Sequence, residues 1–132
     1  MAFDFNEYVS MFNALSEEDF CEKFYTEDLV VESQFGALIG RDAWLHNLND
    51  THIGIREVLK PLTVVREGDA IMAESEATFT ATTDKPDFMF SPLKEGESIK
   101  VRFFSVYRLA GDKIDRMALA WWDPRMAAPP AA

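Results

Sequence analysis

The side chains best suited to moving a proton in this chain are its two histidines, His46 and His52. An imidazole titrates near neutral pH without help from its surroundings. His52 falls near the end of a predicted helix, where the mouth of a cavity would lie. A surface or helix-end position is the plainer reading of both. Glu74 and Glu76 share one side of a strand-like run, and facing a cavity they would form a proton-transfer pair with one raised pKa. The other parity of that run is the apolar one, which sends both carboxylates to an outer face or a subunit interface. Arg102, on the polar parity of the next strand, can pair with them across the sheet. The Tyr8 phenol either donates a hydrogen bond into a cavity or belongs to a core ring whose hydroxyl finds a neighbour. Cys21 reads as a small buried apolar residue rather than a nucleophile. Metal-ligand spacing and a glycine-rich nucleotide motif are both missing, so neither a metal nor an organic cofactor is expected.

The elements that must position these groups fit one domain: 132 residues, 48% of them apolar, bury one core and not two. A net charge of −10 opposes nucleic acid and anionic membrane surfaces as partners. A single cysteine cannot close an internal disulfide, MAFDFNEY has no leader pattern, and no apolar run approaches a membrane span. The expected location is the cytoplasm.

A first helix is predicted over residues 4–14, with Asp4 and Glu7 spaced as a capping box and Phe5, Tyr8, Val9 and Phe12 on one face. Ser16 caps a second helix that buries Phe20, Cys21 and Phe24. LVVES (29–33) reads as a strand, and 34–40, punctuated by Gly36 and Gly40, as a loop. A third helix opens near Arg41 and carries Trp44, Leu45 and Leu48 on one side. Four strands follow: 53–67, bent or bulged at Pro61, then 70–83, 99–109 and 113–122. In 70–83 the apolar parity is Ile71, Ala73, Ser75, Ala77, Phe79 and Ala81. Residues 84–97 are long for a hairpin connection. Phe88, Met89 and Phe90 are apolar where a loop should be polar, so they cap a cavity mouth or meet a partner subunit. The uncharged, proline-interrupted end, 124–132, is expected to fray beyond a domain of residues 1–123.

The fold class is therefore α+β: three N-terminal helices packed on a strongly curved, mainly antiparallel sheet, giving a cone with an open end. Trp44, Phe103, Tyr107, Met117, Trp121 and Trp122 form an aromatic-rich set. Met117 and Trp121 share a parity on the last strand and are expected in the pocket wall, whereas Trp122 faces the other way.

YVSMFNALSEEDFCEKFYTEDLVVES, FGALIGRDAWLHNL and VYRLAGDKIDRMALAWWD together resemble the nuclear-transport-factor-2-like superfamily, in its ketosteroid isomerase and SnoaL-like polyketide cyclase branch. The resemblance spans the chain to about Asp123 and implies a cone-shaped fold, with weaker implications for chemistry. It places Tyr8 at the isomerase's hydrogen-bond donor, but Ser33 stands where the base belongs and Ser105 where the second acidic group belongs. Serine has no useful basicity near neutral pH, so steroid isomerisation is not expected. The carboxylate–arginine–carboxylate set of the epoxide hydrolase branch is missing as well. Glu32, next to Ser33 on a strand, should point away from the cavity.

Two functions follow as expectations. The first is cofactor-free isomerase, cyclase or dehydratase chemistry on an apolar, oxygen-bearing molecule. Tyr8 would donate to a developing oxyanion, His52 or a cavity carboxylate would move the proton, and Ser33, Trp44, Phe103, Ser105, Met117 and Trp121 would line the site. The second is a non-catalytic binding or dimerisation module using the same cavity. Either would pair into a homodimer through the convex face of the sheet, where Phe104, Val106 and Trp122 lie.

Overall fold

A computed structural model describes residues 2–122. Its elements run α1 (Phe5–Phe12), α2 (Glu17–Phe24), β1 (Tyr25–Ser33), β2 (Gly36–Ile39), α3 (Arg41–Thr51), β3 (Ile55–Glu67), β4 (Ala70–Ala81), β5 (Ser98–Ala110) and β6 (Lys113–Trp122). The expected fraying of 124–132 lies outside the described residues. No helix among the described residues is long and apolar enough to cross a membrane.

Local chemistry sets the helix starts. Asp4 Oδ1 accepts from the backbone N–H of Asn6 and Glu7, and Ser16 Oγ accepts from that of Asp19. The capping box is only half made, because the Glu7 carboxylate turns instead to Lys23, 3.7 Å away. α1 is shorter than the predicted 4–14. It closes at Asn13, whose amide forms a peptide-like pair with β3: Nδ2 donates to Leu59 O at 3.1 Å and Oδ1 accepts from Leu59 N at 2.9 Å. That pair satisfies backbone groups on an edge strand and ties α1 to it.

The six strands lie in the order β2-β1-β6-β5-β4-β3. All neighbours are antiparallel except β1 and β6, which run parallel. The sheet is mixed and remains open, with β2 and β3 as its edges. β2 was expected to be loop. The four-residue segment is short and glycine-bounded, with Ala37, Leu38 and Ile39 in an unbroken run rather than an alternation, so its strand character comes from pairing with β1 (Val30 opposite Ile39, Val31 opposite Leu38), not from its own pattern. β1 likewise starts four residues before LVVES, at Tyr25, directly after Phe24 with no turn residue between them. The β3 ladder slips between Pro61 and Thr63, as proline on an edge strand allows.

The alternation in β4 holds residue by residue: Ile71, Ala73, Ser75, Ala77, Phe79 and Ala81 are buried and the residues between them are not. One buried cluster joins α1 and α2 to β1, β5 and β6 around Tyr8, Phe20 and Tyr25. A second gathers Phe79 and Val101 with Phe88, Phe90 and Leu93 of the long connection. That connection is folded onto the core, pinned by backbone bonds between Lys85 and Leu93 and by Asp84 Oδ1 accepting from Glu95 N.

Candidate functional site

Between the two clusters is a cavity of about 290 Å³, lined by residues from α1, α3 and all six strands. Only a sheet that curves round its helices can present every strand to one space. Seven of the eight candidate site residues lie in its wall: Tyr8, Ser33, Trp44, Phe103, Ser105, Met117 and Trp121. The eighth, His52, is set behind the wall.

The helical end of the cavity is phenolic. Tyr8 and Tyr25 are buried with their hydroxyls 2.6 Å apart. Tyr107, also buried, completes the group, with Ser105 and Tyr8 as its polar neighbours. Burial above all, and then the neighbouring phenols, push the Tyr8 pKa well above the ordinary phenol value. Burial does the same to Tyr25 and Tyr107. These hydroxyls therefore stay protonated and act as donors. The Trp44 indole N–H leans electrostatically on the Tyr25 hydroxyl but lacks hydrogen-bond geometry to any partner among the described residues.

The side wall carries a charge that the sequence reading missed. Glu57 lies on β3 between Ile55 and Leu59, on the inward parity, and lines the cavity with its side chain 9% exposed. His52 reaches it from just past the end of α3: Nε2 is 2.9 Å from Glu57 Oε1, and Nδ1 is 2.9 Å from Glu17 Oε1. Carboxylates only accept, so a ring serving both must carry both N–H groups, as an imidazolium. Burial opposes that charge, but Glu57 and then Glu17 outweigh it and hold the His52 pKa above the ordinary histidine value. The signal for Glu57 was an acidic residue between two apolar ones at strand spacing.

The remaining candidates lie elsewhere. Glu74 and Glu76 point to the outer face, with Arg102 3.7 Å from Glu74 and Lys100 3.6 Å from Glu76. Glu32 turns outward to Arg116 at 2.8 Å. Ser33 Oγ, although in the wall, accepts from the Phe35 backbone. His46 is exposed beside Asp50. Burial pushes the Cys21 thiol up to about 12, which leaves it inert. Phe90 and Met89 of the long connection, with Phe35 from the β1–β2 turn, form the outer wall. Trp121 stands between them, its ring centre 5.9 Å from Phe90 and 5.5 Å from Phe35.

A family profile described as the SnoaL-like domain matches residues 5–117, nearly the whole of this architecture. The chain belongs to the SnoaL-like domain family. No curated protein matches it. Among solved structures it is similar to a candidate polyketide cyclase of Xanthomonas campestris pv. campestris, at 18% identity and a TM-score of 0.73 over 88% of this chain and 85% of that one. It is also similar to IdmH, a candidate polyketide cyclase of Streptomyces antibioticus, at 15% identity and a TM-score of 0.71 over 89% and 88%. A third, from Catenulispora acidiphila, has a ketosteroid isomerase-like fold in complex with trimethylamine, at 13% identity and a TM-score of 0.67 over 87% and 82%. At these identities the SnoaL-like chain shares a fold with them, the nuclear-transport-factor-2-like fold expected from the sequence.

Proposed function

We propose that this SnoaL-like protein binds an apolar, oxygen-bearing small molecule in its cone and moves a proton on it without a cofactor. The observation that carries this reading is the Glu57 carboxylate, the one charged group among the described residues that line the cavity. A pure carrier of apolar ligands gains nothing from a desolvated carboxylate, which costs free energy to hold there. A base for a carbon acid needs one. His52 engages Oε1, and the second oxygen takes the proton from substrate. The phenols Tyr8, Tyr25 and Tyr107 then supply donors to the oxygen on which charge develops. Trp121, Phe103 and Met117 hold the ring system, and Ser33 and Ser105 border it.

Size narrows the substrate. A cavity of roughly 150 Å³ holds a benzene, so about 290 Å³ holds two rings rather than a four-ring steroid. α-Tetralone, a two-ring ketone with exchangeable hydrogens beside its carbonyl, is a suitable probe. The protein should bind it saturably, with one molecule per chain, and accelerate deuterium uptake at that carbon. Saturable binding with no acceleration would leave the carrier reading standing.

A second copy of the chain is the proposed occupant of the convex face. Val65, Met72, Phe104 and Trp122 are exposed there, flanked by the Glu74–Arg102 and Glu76–Lys100 pairs, whose opposite signs can match themselves across a two-fold axis. We place its work in the cytoplasm, where a free thiol such as that of Cys21 stays reduced.

A further inference from the structure

Glu17 has no part in the chemistry above, yet it holds the far side of the His52 ring. The three groups form a line of increasing exposure: Glu57 at 9%, His52 at 16% and Glu17 at 34%. Both links are 2.9 Å. Glu17 opens α2, Glu57 lies on β3, and His52 caps α3, so three separate elements converge on the ring. Phe12 of α1 packs against the ring in a T-shaped contact, its ring centre 6.1 Å away.

We propose that Glu17, His52 and Glu57 form a charge-compensating proton relay between the cavity and solvent. The inference rests on Glu57 as the cavity base. At rest the line is carboxylate, imidazolium, carboxylate. When Glu57 takes a proton from substrate, the imidazolium releases its Nδ1 proton to Glu17, which passes it to water. The ring is then neutral with its Nε2–H still donated to Glu57, and the total charge is that of the resting line. One proton has entered at the cavity end and one has left at the solvent end. In the return step Glu57 gives its proton to product, and the ring regains one through Glu17. Protonating Glu57 removes the carboxylate that does most to hold the proton on the ring, so the imidazolium becomes more acidic as the base is consumed. Such an arrangement suits reactions that exchange protons with water, such as cyclisation or dehydration, better than an internal proton shift. Glu17 is thus a positioning and relay residue that never touches substrate.

The test needs no ligand. In the full-length chain labelled with nitrogen-15 histidine, the exposed His46 serves as an internal reference, and exchange of the His52 Nδ1 proton with water is measured by NMR. Glu17→Gln, a near-isosteric change at a part-exposed helix start, should slow that exchange at least about five-fold and lower the His52 pKa. Glu17→Asp should restore much of the rate. If Glu17→Gln lowers the pKa but leaves exchange unchanged or faster, Glu17 is only a counter-ion or a shield and the relay is wrong. If exchange slows in Glu57→Gln and not in Glu17→Gln, protons pass through the cavity mouth, which also overturns the relay while leaving Glu57 as the base.

Discussion

The cavity has two polar regions built in opposite ways. At the helical end, Tyr8 and Tyr25 share a hydrogen bond, Tyr107 lies beside them, and all three are buried and held against ionisation. On the β3 wall, Glu57 and His52 are charged and connect outward through Glu17. The first region is a fixed set of donors whose packing is part of the core. The second can change protonation state and takes little part in the core. Binding, stability and proton movement should therefore separate between the two ends.

The largest effect expected is on stability at the phenolic end. Phe20 packs against Tyr8, Tyr25 and Phe12 and is almost fully buried. Phe20→Ala should cost about 3–5 kcal/mol in denaturant unfolding. A cost below about 1 kcal/mol would mean that this end is loosely packed and the contrast is false. Next comes the hinge of the charged end. Gly54 joins α3 to β3 with φ +67, and a Cβ there would sit 2.7 Å from Thr83 Cγ2. Gly54→Ala should cost about 3 kcal/mol, from left-handed strain together with that clash. It should also shift the His52 NMR signals, because Gly54 sets how α3 hands the ring to β3.

Tyr8→Phe is a smaller change: it leaves the buried Tyr25 hydroxyl without its partner at a cost of about 1–2 kcal/mol, read by thermal unfolding. The smallest effect is pH-dependent and belongs to the other region. The His52 pKa is raised in the folded chain. Its contribution to stability is therefore complete below the unfolded value of about 6.5 and fades as pH rises through the higher folded value. The stability difference between the wild type and His52→Gln should shrink over that window. A difference that grows with pH would show that the ring is held neutral.

Much of this contrast was legible in the sequence and part was not. The helices, the four long strands and the facing of β4 follow from caps and alternation, so Tyr8, Ser105, Met117 and Trp121 could be placed on inward parities. β2 could not be read, because its strand character comes from pairing with β1. Tyr25 was hidden by a helix that passes into a strand without a turn. Glu57 was hidden by a bulged edge strand, where the slip at Pro61 blurs the alternation. His52 was legible as a helix-end histidine but not as a ring held between carboxylates 35 residues upstream and 5 downstream. That relation exists only in three dimensions.

The central claim is that protons move at Glu57 and not at the phenols. Its most direct test is deuterium uptake by bound α-tetralone in the wild type, Glu57→Gln and Tyr8→Phe, with probe affinity measured in parallel. Glu57→Gln should lower the exchange rate about a hundred- to ten-thousand-fold while leaving affinity within about two-fold, and Tyr8→Phe should lower the rate far less. Exchange that survives in Glu57→Gln, or that is lost only in Tyr8→Phe, would contradict the account and move the base to the other end of the cavity.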